Sequence, residues 1–196
     1  MFIRLFWMCL LVPMVGRAQY RFAPGRYTLT NGRSIEGVFK LDVNRISGGR
    51  LYQRVDSTHQ RRIQLRDVAS ATLAGRRFLV LEKFRAGVGI NEHEVARDLV
   101  EVAETGSVEL LRYTFTSYHP SAASGPFQYS RSYYARPGGT EALLPYFTRG
   151  TEPFWADNTD FAELFPRWPA LQARLLLGTV APDSLAHYVR RYNNSL

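Results

Sequence analysis

Apolar and polar positions alternate from Tyr20 to about Arg85, which predicts short β-strands separated by turn signals. Tyr27 and Leu29 alternate with Thr28 and Thr30, Asn31-Gly32 marks a hairpin, and Ile35, Val38, Phe39 and Leu41 follow. Register selects the turn. A two-residue loop Asn31-Gly32 would set Leu29 against Ser34 and Tyr27 against Glu36, sending the two strands' apolar residues to opposite faces. A three-residue loop Thr30-Asn31-Gly32, with Gly32 left-handed, sets Leu29 against Arg33 and Tyr27 against Ile35 and puts Phe39 and Leu41 on that same face. The second is expected. Further strands are predicted over residues 51–55, 61–65, 68–73 and 78–84, with turns at Ser47-Gly48-Gly49, Asp56-Ser57-Thr58 and Ala74-Gly75-Arg76. Such close spacing suits a small barrel or a strongly curled sheet.

Residues 86–94 read as a linker or irregular crossing, with longer strands beyond it. Residues 99–103 and 108–116 are joined across Glu104-Thr105-Gly106, and residues 127–134 follow a Ser-, Ala-, Gly- and Pro-bearing loop at 117–126. Leu111, Tyr113 and Phe115 alternate with Arg112, Thr114 and Thr116, the pattern of half-buried antiparallel strands. The period then changes to that of helices. Phe161, Leu164 and Phe165 make one stripe ending at Pro166, and Leu171, Leu175 and Leu176 a second ending at Gly178. Leu185, Tyr188, Val189 and Tyr192 make a third, entered through Pro182 and Asp183, with His187, Arg190 and Arg191 opposite. The expected class is α+β: a mainly antiparallel curled sheet or small barrel, then longer strands, then a C-terminal helical cap.

The first eighteen residues have another character. Arg4 gives a short basic start, residues 5–15 are apolar apart from Pro13, and Gly16-Arg17-Ala18 puts small residues before Gln19. This is the layout of a secretory signal peptide cleaved between Ala18 and Gln19, and the run is too short for a spanning helix of about 20 residues. The expected organisation is a signal peptide over 1–18 and one mature α+β domain over 19–196. Within that domain lie a short-strand region (19–85), longer strands (95–136) and helices (158–193). The expected location is the periplasm, the cell surface or the medium.

Export changes what the charge implies. The whole chain carries +8, and loss of Arg4 and Arg17 leaves the mature part at +6. A basic protein invites a nucleic-acid reading, but outside the cytoplasm the available polyanions are acidic glycans, lipopolysaccharide and anionic lipid heads. The arginines are spread along the sequence in blocks no longer than Arg61-Arg62 or Arg76-Arg77, the dispersion of a generally charged surface. The one cysteine, Cys9, lies mid-run in the signal segment, so the mature part has no disulfide, thiolate nucleophile or cysteine-ligated metal.

Candidate chemistry is sparse. Glu92-His93-Glu94 is the densest titratable cluster, but Arg97 stands four residues after His93, where a zinc-protease helix has its second histidine. His59, His93, His119 and His187 sit in different segments, no Gly-x-Ser-x-Gly motif occurs, and Gly87-x-Gly89 lacks the context of a nucleotide loop. No catalytic residue, metal ligand or cofactor is assigned. The candidate binding surface is Tyr129, Arg131 and Tyr133, part of an aromatic and cationic group with Tyr134 and Arg136. Tyrosine rings and arginine forks on a sheet face suit sugar or peptide recognition, while packing of both rings under the C-terminal helices is the arrangement folding energetics favour. Packing is expected for Trp155 and Trp168 too.

A signal peptide, then Gly25-Arg26-Tyr27-Thr28-Leu29-Thr30-Asn31-Gly32-Arg33-Ser34-Ile35-Glu36-Gly37, a strand-rich middle and helices ending Val189-Arg190-Arg191-Tyr192-Asn193 resemble small exported proteins of unknown function from Bacteroidota. The resemblance implies an envelope location and a β-then-helix order, with no activity attached to any residue. The functional expectation is an exported, soluble, non-enzymatic envelope or secreted protein. Its partner would be an anionic envelope glycan or another envelope protein rather than nucleic acid. The alternative is a hydrolase, which would bring at least two of His59, His93, His119, Glu92 and Glu94 into one pocket.

Overall fold

The computed structural model describes residues 21–44, 48–118, 127–148 and 157–195. Residues 1–18, expected as a signal peptide, and Gln19, His119 and Trp155 lie outside the described residues. Ten strands form one antiparallel sheet: β1 (Ala23–Leu29), β2 (Ser34–Asn44), β3 (Gly48–Arg54), β4 (Gln60–Ile63), β5 (Val68–Leu73), β6 (Arg76–Ala86), β7 (His93–Glu104), β8 (Val108–Tyr118), β9 (Phe127–Pro137) and β10 (Leu144–Tyr146). Helices α1 (Thr159–Glu163), α2 (Pro169–Leu176) and α3 (Leu185–Asn193) follow. The fold class is α+β and β-rich, as the periodicities require.

The spatial order is β10-β9-β8-β7-β6-β5-β1-β2-β3-β4. Every step between chain neighbours is a hairpin except β4 to β5, where the chain returns through a 3-10 turn (Leu65–Asp67) to pair β5 with β1. The first hairpin has the three-residue loop: Tyr27 faces Ile35, Leu29 N–H donates to Arg33 O at 2.8 Å, and Gly32 takes φ +84°. Tyr27 then meets Phe39 edge-on at 5.5 Å, as their shared face demands.

The sheet curls. Gly49 N–H on β3 donates to Asp98 Oδ2 on β7 at 2.6 Å, although β6, β5, β1 and β2 lie between those strands in the sheet order. This explains why Gly48-Gly49, expected as a turn, lies within β3. A Cβ at Gly49 would sit 2.9 Å from Asp98 Oδ1, so glycine is required there by close approach. The curl encloses Tyr27, Phe39, Leu41, Leu51, Val68, Phe78 and Leu99. A second core joins Phe84, Val100, Leu111, Tyr113, Phe115 and Tyr134 across β6–β9.

On the other face of β8 and β9, Leu110, Tyr133 and Ala135 pack against Phe161, Phe165, Leu171, Leu175, Leu185, Val189 and Tyr192 from the helices. Trp168 packs there too, edge-on to Tyr192 at 5.8 Å. Leu176 departs from its expected stripe and is 50% exposed. Helix α2 closes in a Schellman arrangement, Gly178 N–H to Leu175 O at 2.9 Å and Thr179 N–H to Arg174 O at 3.0 Å, leaving Leu176 on the solvent side. Asn193 pins the end of α3 to the β7–β8 turn. Its Oδ1 accepts from Val108 N–H (3.0 Å) and Ser107 Oγ (2.9 Å), and its Nδ2 donates to Val108 O (2.8 Å) and Thr105 O (3.1 Å).

Candidate cleft at the end of β6 and the edge of β9

Residues 86–94 do not cross the fold. They are a tight connection between the antiparallel neighbours β6 and β7, with Gly87 at φ +83° and a 3-10 turn at Gly89–Asn91. Gly87 is required because a Cβ would collide with Asn91 O. The turn holds the end of β6 across β9: Gly87 N–H donates to Ser132 Oγ at 3.0 Å, and Tyr134 Oη donates to Arg85 O. Asn91 fastens the other side, accepting from Tyr118 N–H at 2.7 Å and donating to Tyr118 O at 3.1 Å.

Between these elements and β10 opens a cleft of about 480 Å³. Its walls are mainly apolar and aromatic, with Phe84, Phe115, Tyr133, Tyr134, Leu143 and Phe147 among them. Across them run three serine hydroxyls, Ser117, Ser130 and Ser132. Ser117 Oγ contacts Ser130 Oγ and lies 3.3 Å from Gln128 O. Lys83, Arg85 and Arg131 bring positive charge to the cleft, and Glu92 is its carboxylate among the described residues, paired with Arg85 at 3.3 Å. Lys83 holds φ +51° within β6, a conformation costly for a residue with a Cβ. Burial raises the Tyr134 phenol well above the ordinary tyrosine value, so it serves as a neutral donor.

The predicted surface residues divide. Tyr133 is covered, at 6% exposure, in the core under the helices. Arg131 is half exposed, and its Nη1 reaches Asp183 Oδ1 at 3.1 Å, an atom that also accepts from Tyr133 Oη at 3.2 Å. Tyr129 is 60% exposed, so the expectation that both rings are covered holds for Tyr133 and fails for Tyr129. The helices pack over the Tyr133–Ala135 end of β9, and Tyr129 lies four residues, about 13 Å, further along the strand. Arg131 and Tyr133 line the cleft, which draws as well on the alternate positions Ser130, Ser132 and Tyr134 and on Phe115 and Ser117 of β8; Tyr129 is not part of it. An alternation of Ser-Ser-Tyr beside Phe-Ser on paired strands was the available signal.

Among the described residues, His59, His93, Glu92 and Glu94 of the hydrolase reading are not joined to one another by a hydrogen bond or ion pair. His59 belongs to the β3–β4 turn, where its Nδ1 meets Asp56 Oδ2 at 2.9 Å. Backbone N–H groups of Thr58 and His59 hold the Asp56 carboxyl down to about 2. His93 opens β7, its Nδ1 2.8 Å from Asn91 O and its ring against Phe115 at 5.1 Å. Glu94 is exposed beside Arg85 in the β6–β7 register. Among the described residues, no three His, Cys, Asp or Glu side chains are grouped to hold a metal ion.

Two buried acids instead serve structure. Asp98, 1% exposed, accepts from Gly49 N–H, from Leu99 N–H at 2.7 Å and from Tyr113 Oη at 2.7 Å. Burial raises its carboxyl, and those three donors oppose the rise. Glu101 is the reverse. Burial pushes it up, but the hydrogen bond from Arg76 and the charges of Arg112 and Arg76 win, and its carboxyl is lowered.

No protein-family model, curated protein or solved structure matches this chain. No helix among the described residues is long and apolar enough to cross a membrane.

Proposed function

We propose that the protein is an exported, non-enzymatic binding protein of the cell envelope or the medium that seats a segment of a glycan in the β6–β9 cleft. The observation that carries this reading is the composition of the cleft. Aromatic and aliphatic side chains give the cleft an apolar wall suited to the C–H side of a sugar ring, and hydroxyls and an arginine supply donors and acceptors for its rim. The held β6–β7 turn and the β8–β9 ladder support the site as largely pre-formed, which lowers the entropy lost on binding. Glycoside hydrolysis in most families uses two carboxyl groups flanking the scissile bond, whereas Glu92 alone faces this cleft among the described residues and is paired with Arg85. That favours binding over the hydrolase alternative.

The experiment is calorimetric titration of the mature protein with a panel of neutral and acidic oligosaccharides, with chromatography of each mixture after prolonged incubation. Saturable binding that disappears in a folded Ser132→Trp variant, with intact oligosaccharide recovered, is the expected result. Shortened products would replace this reading with the hydrolase one. Export is tested by mass spectrometry of protein from the envelope or medium, where an N-terminus within a residue or two of Gln19 is expected.

A further inference from the structure

We propose that the outer face of β1–β4 is a separate docking surface for an acidic polysaccharide. The arginines form no long block, but the charge is uneven between the two halves of the chain. Residues 21–85 hold 14 of the 25 basic residues and 5 of the 17 acidic ones, whereas residues 86–196 hold 9 and 12. The strand-rich first half is therefore strongly cationic and the second half slightly anionic.

The register aligns part of this charge. Lys40 of β2 faces Tyr52 of β3, and Tyr52 faces Arg62 of β4, so all three stand on the face opposite Leu41, Leu51 and Ile63. Phe22, one residue before β1, completes the row beside Lys40, since Ala23 faces Phe39. The order across the sheet is ring, cation, ring, cation, spanning about 14 Å at the strand spacing. Lys40 Nζ lies 5.5 Å from the Phe22 ring centre and 5.2 Å from that of Tyr52, and the Arg54 guanidinium lies 4.4 Å from Phe22. Arg26 and Arg77 extend the face across β1, β5 and β6, flanking Thr72. Its acids are Glu36, opposite Arg26, and Asp42, opposite Arg50.

These cations differ from several in the other half. Arg97, Arg112, Arg131, Arg136 and Arg190 are each paired with a carboxylate. Arg26, Lys40, Arg54, Arg62 and Arg77 stand in no ion pair with a described residue. An extended acidic sugar chain fits a row of this kind, its carboxylates or sulfates meeting the cations and its C–H faces meeting the rings between them. Each ring already has a cation against it, which suits that pattern better than the bare stacking platforms that hold nucleic-acid bases. This surface rests on the binding-protein reading but not on the cleft, and it names its partner's chemistry.

The test measures binding of the full mature protein to alginate, a carboxylated polysaccharide, with neutral dextran, single-stranded DNA and phosphatidylglycerol vesicles alongside. Alginate should bind, more weakly at higher salt, and dextran should not. Lys40→Gln/Arg62→Gln should weaken alginate binding about tenfold with the melting temperature unchanged. The single exposed-edge variant Arg62→Glu should act in the same direction, and Arg174→Gln on α2 should have no effect. Ser132→Trp should keep alginate binding, which separates this surface from the cleft. Absent alginate binding, alginate binding untouched by the Lys40 and Arg62 variants, or tighter binding of DNA or vesicles would each overturn the proposal.

Discussion

Replacing Asp98 by Asn tests what holds the curl. The carboxylate accepts at both oxygens, Oδ1 from Leu99 N–H and Oδ2 from Gly49 N–H and Tyr113 Oη. An amide offers one acceptor oxygen and two donors. With its nitrogen at the Oδ2 position it faces Gly49 N–H; flipped, it faces Leu99 N–H. Tyr113 can rotate its hydroxyl to accept, but a backbone N–H cannot. One backbone donor is therefore orphaned in either orientation, at about 1–3 kcal/mol, and charge-assisted bonds become weaker neutral ones. Relief of the burial penalty that raises the Asp98 carboxyl offsets part of this. The net loss should be about 2–3 kcal/mol by urea denaturation, with an unchanged m-value. Amide exchange adds a local reading: Gly49 should lose protection more than residues of β9. A variant within about 0.5 kcal/mol of the wild type, or one whose Gly49 amide exchanges as before, would refute the staple.

Leu185→Ala empties a site that is 1% exposed under α3 and should cost about 2–5 kcal/mol in thermal or urea melts, while His187→Ala on the exposed side should cost almost nothing. Glu101→Gln should flatten the acid side of the stability curve. The folded-state carboxyl is lowered, so its stabilisation is full above the unfolded value of about 4.3 and is lost as pH falls through the folded one; urea melts from pH 3 to 7 read the difference. Asn193→Ala removes four hydrogen bonds between α3 and the β7–β8 turn and should lower stability by about 2 kcal/mol, with the loss of exchange protection centred on Val108.

Local rules carried the sequence reading where one interaction decided the geometry. The apolar faces of Tyr27, Ile35 and Phe39 selected one loop length, and the stripe of Leu185, Val189 and Tyr192 named the buried side of α3. The reading failed where distant segments meet. Gly48-Gly49 carries a turn signal, yet at Gly49 the close approach is that of Asp98, from a strand five places away in the sheet. Strand β10 is three residues long and exists through its pairing with Tyr133–Ala135, which no periodicity in residues 144–146 announces. The cleft was missed for the same reason. Arg131 and Tyr133 stand out by composition and do line it, but the end of β6 folds over the alternate positions and adds Ser130, Ser132 and Tyr134, while Tyr129 lies outside.

The central claim, that the β6–β9 cleft seats a glycan segment, is tested most directly by nuclear magnetic resonance of isotope-labelled mature protein titrated with the oligosaccharide panel. Binding in the cleft predicts saturable amide shifts centred on Gly87, Ser117 and Ser132, with those of the β3–β4 turn unmoved. Shifts that leave these amides untouched across the whole panel, or signals of shortened sugars growing during the titration, would contradict it.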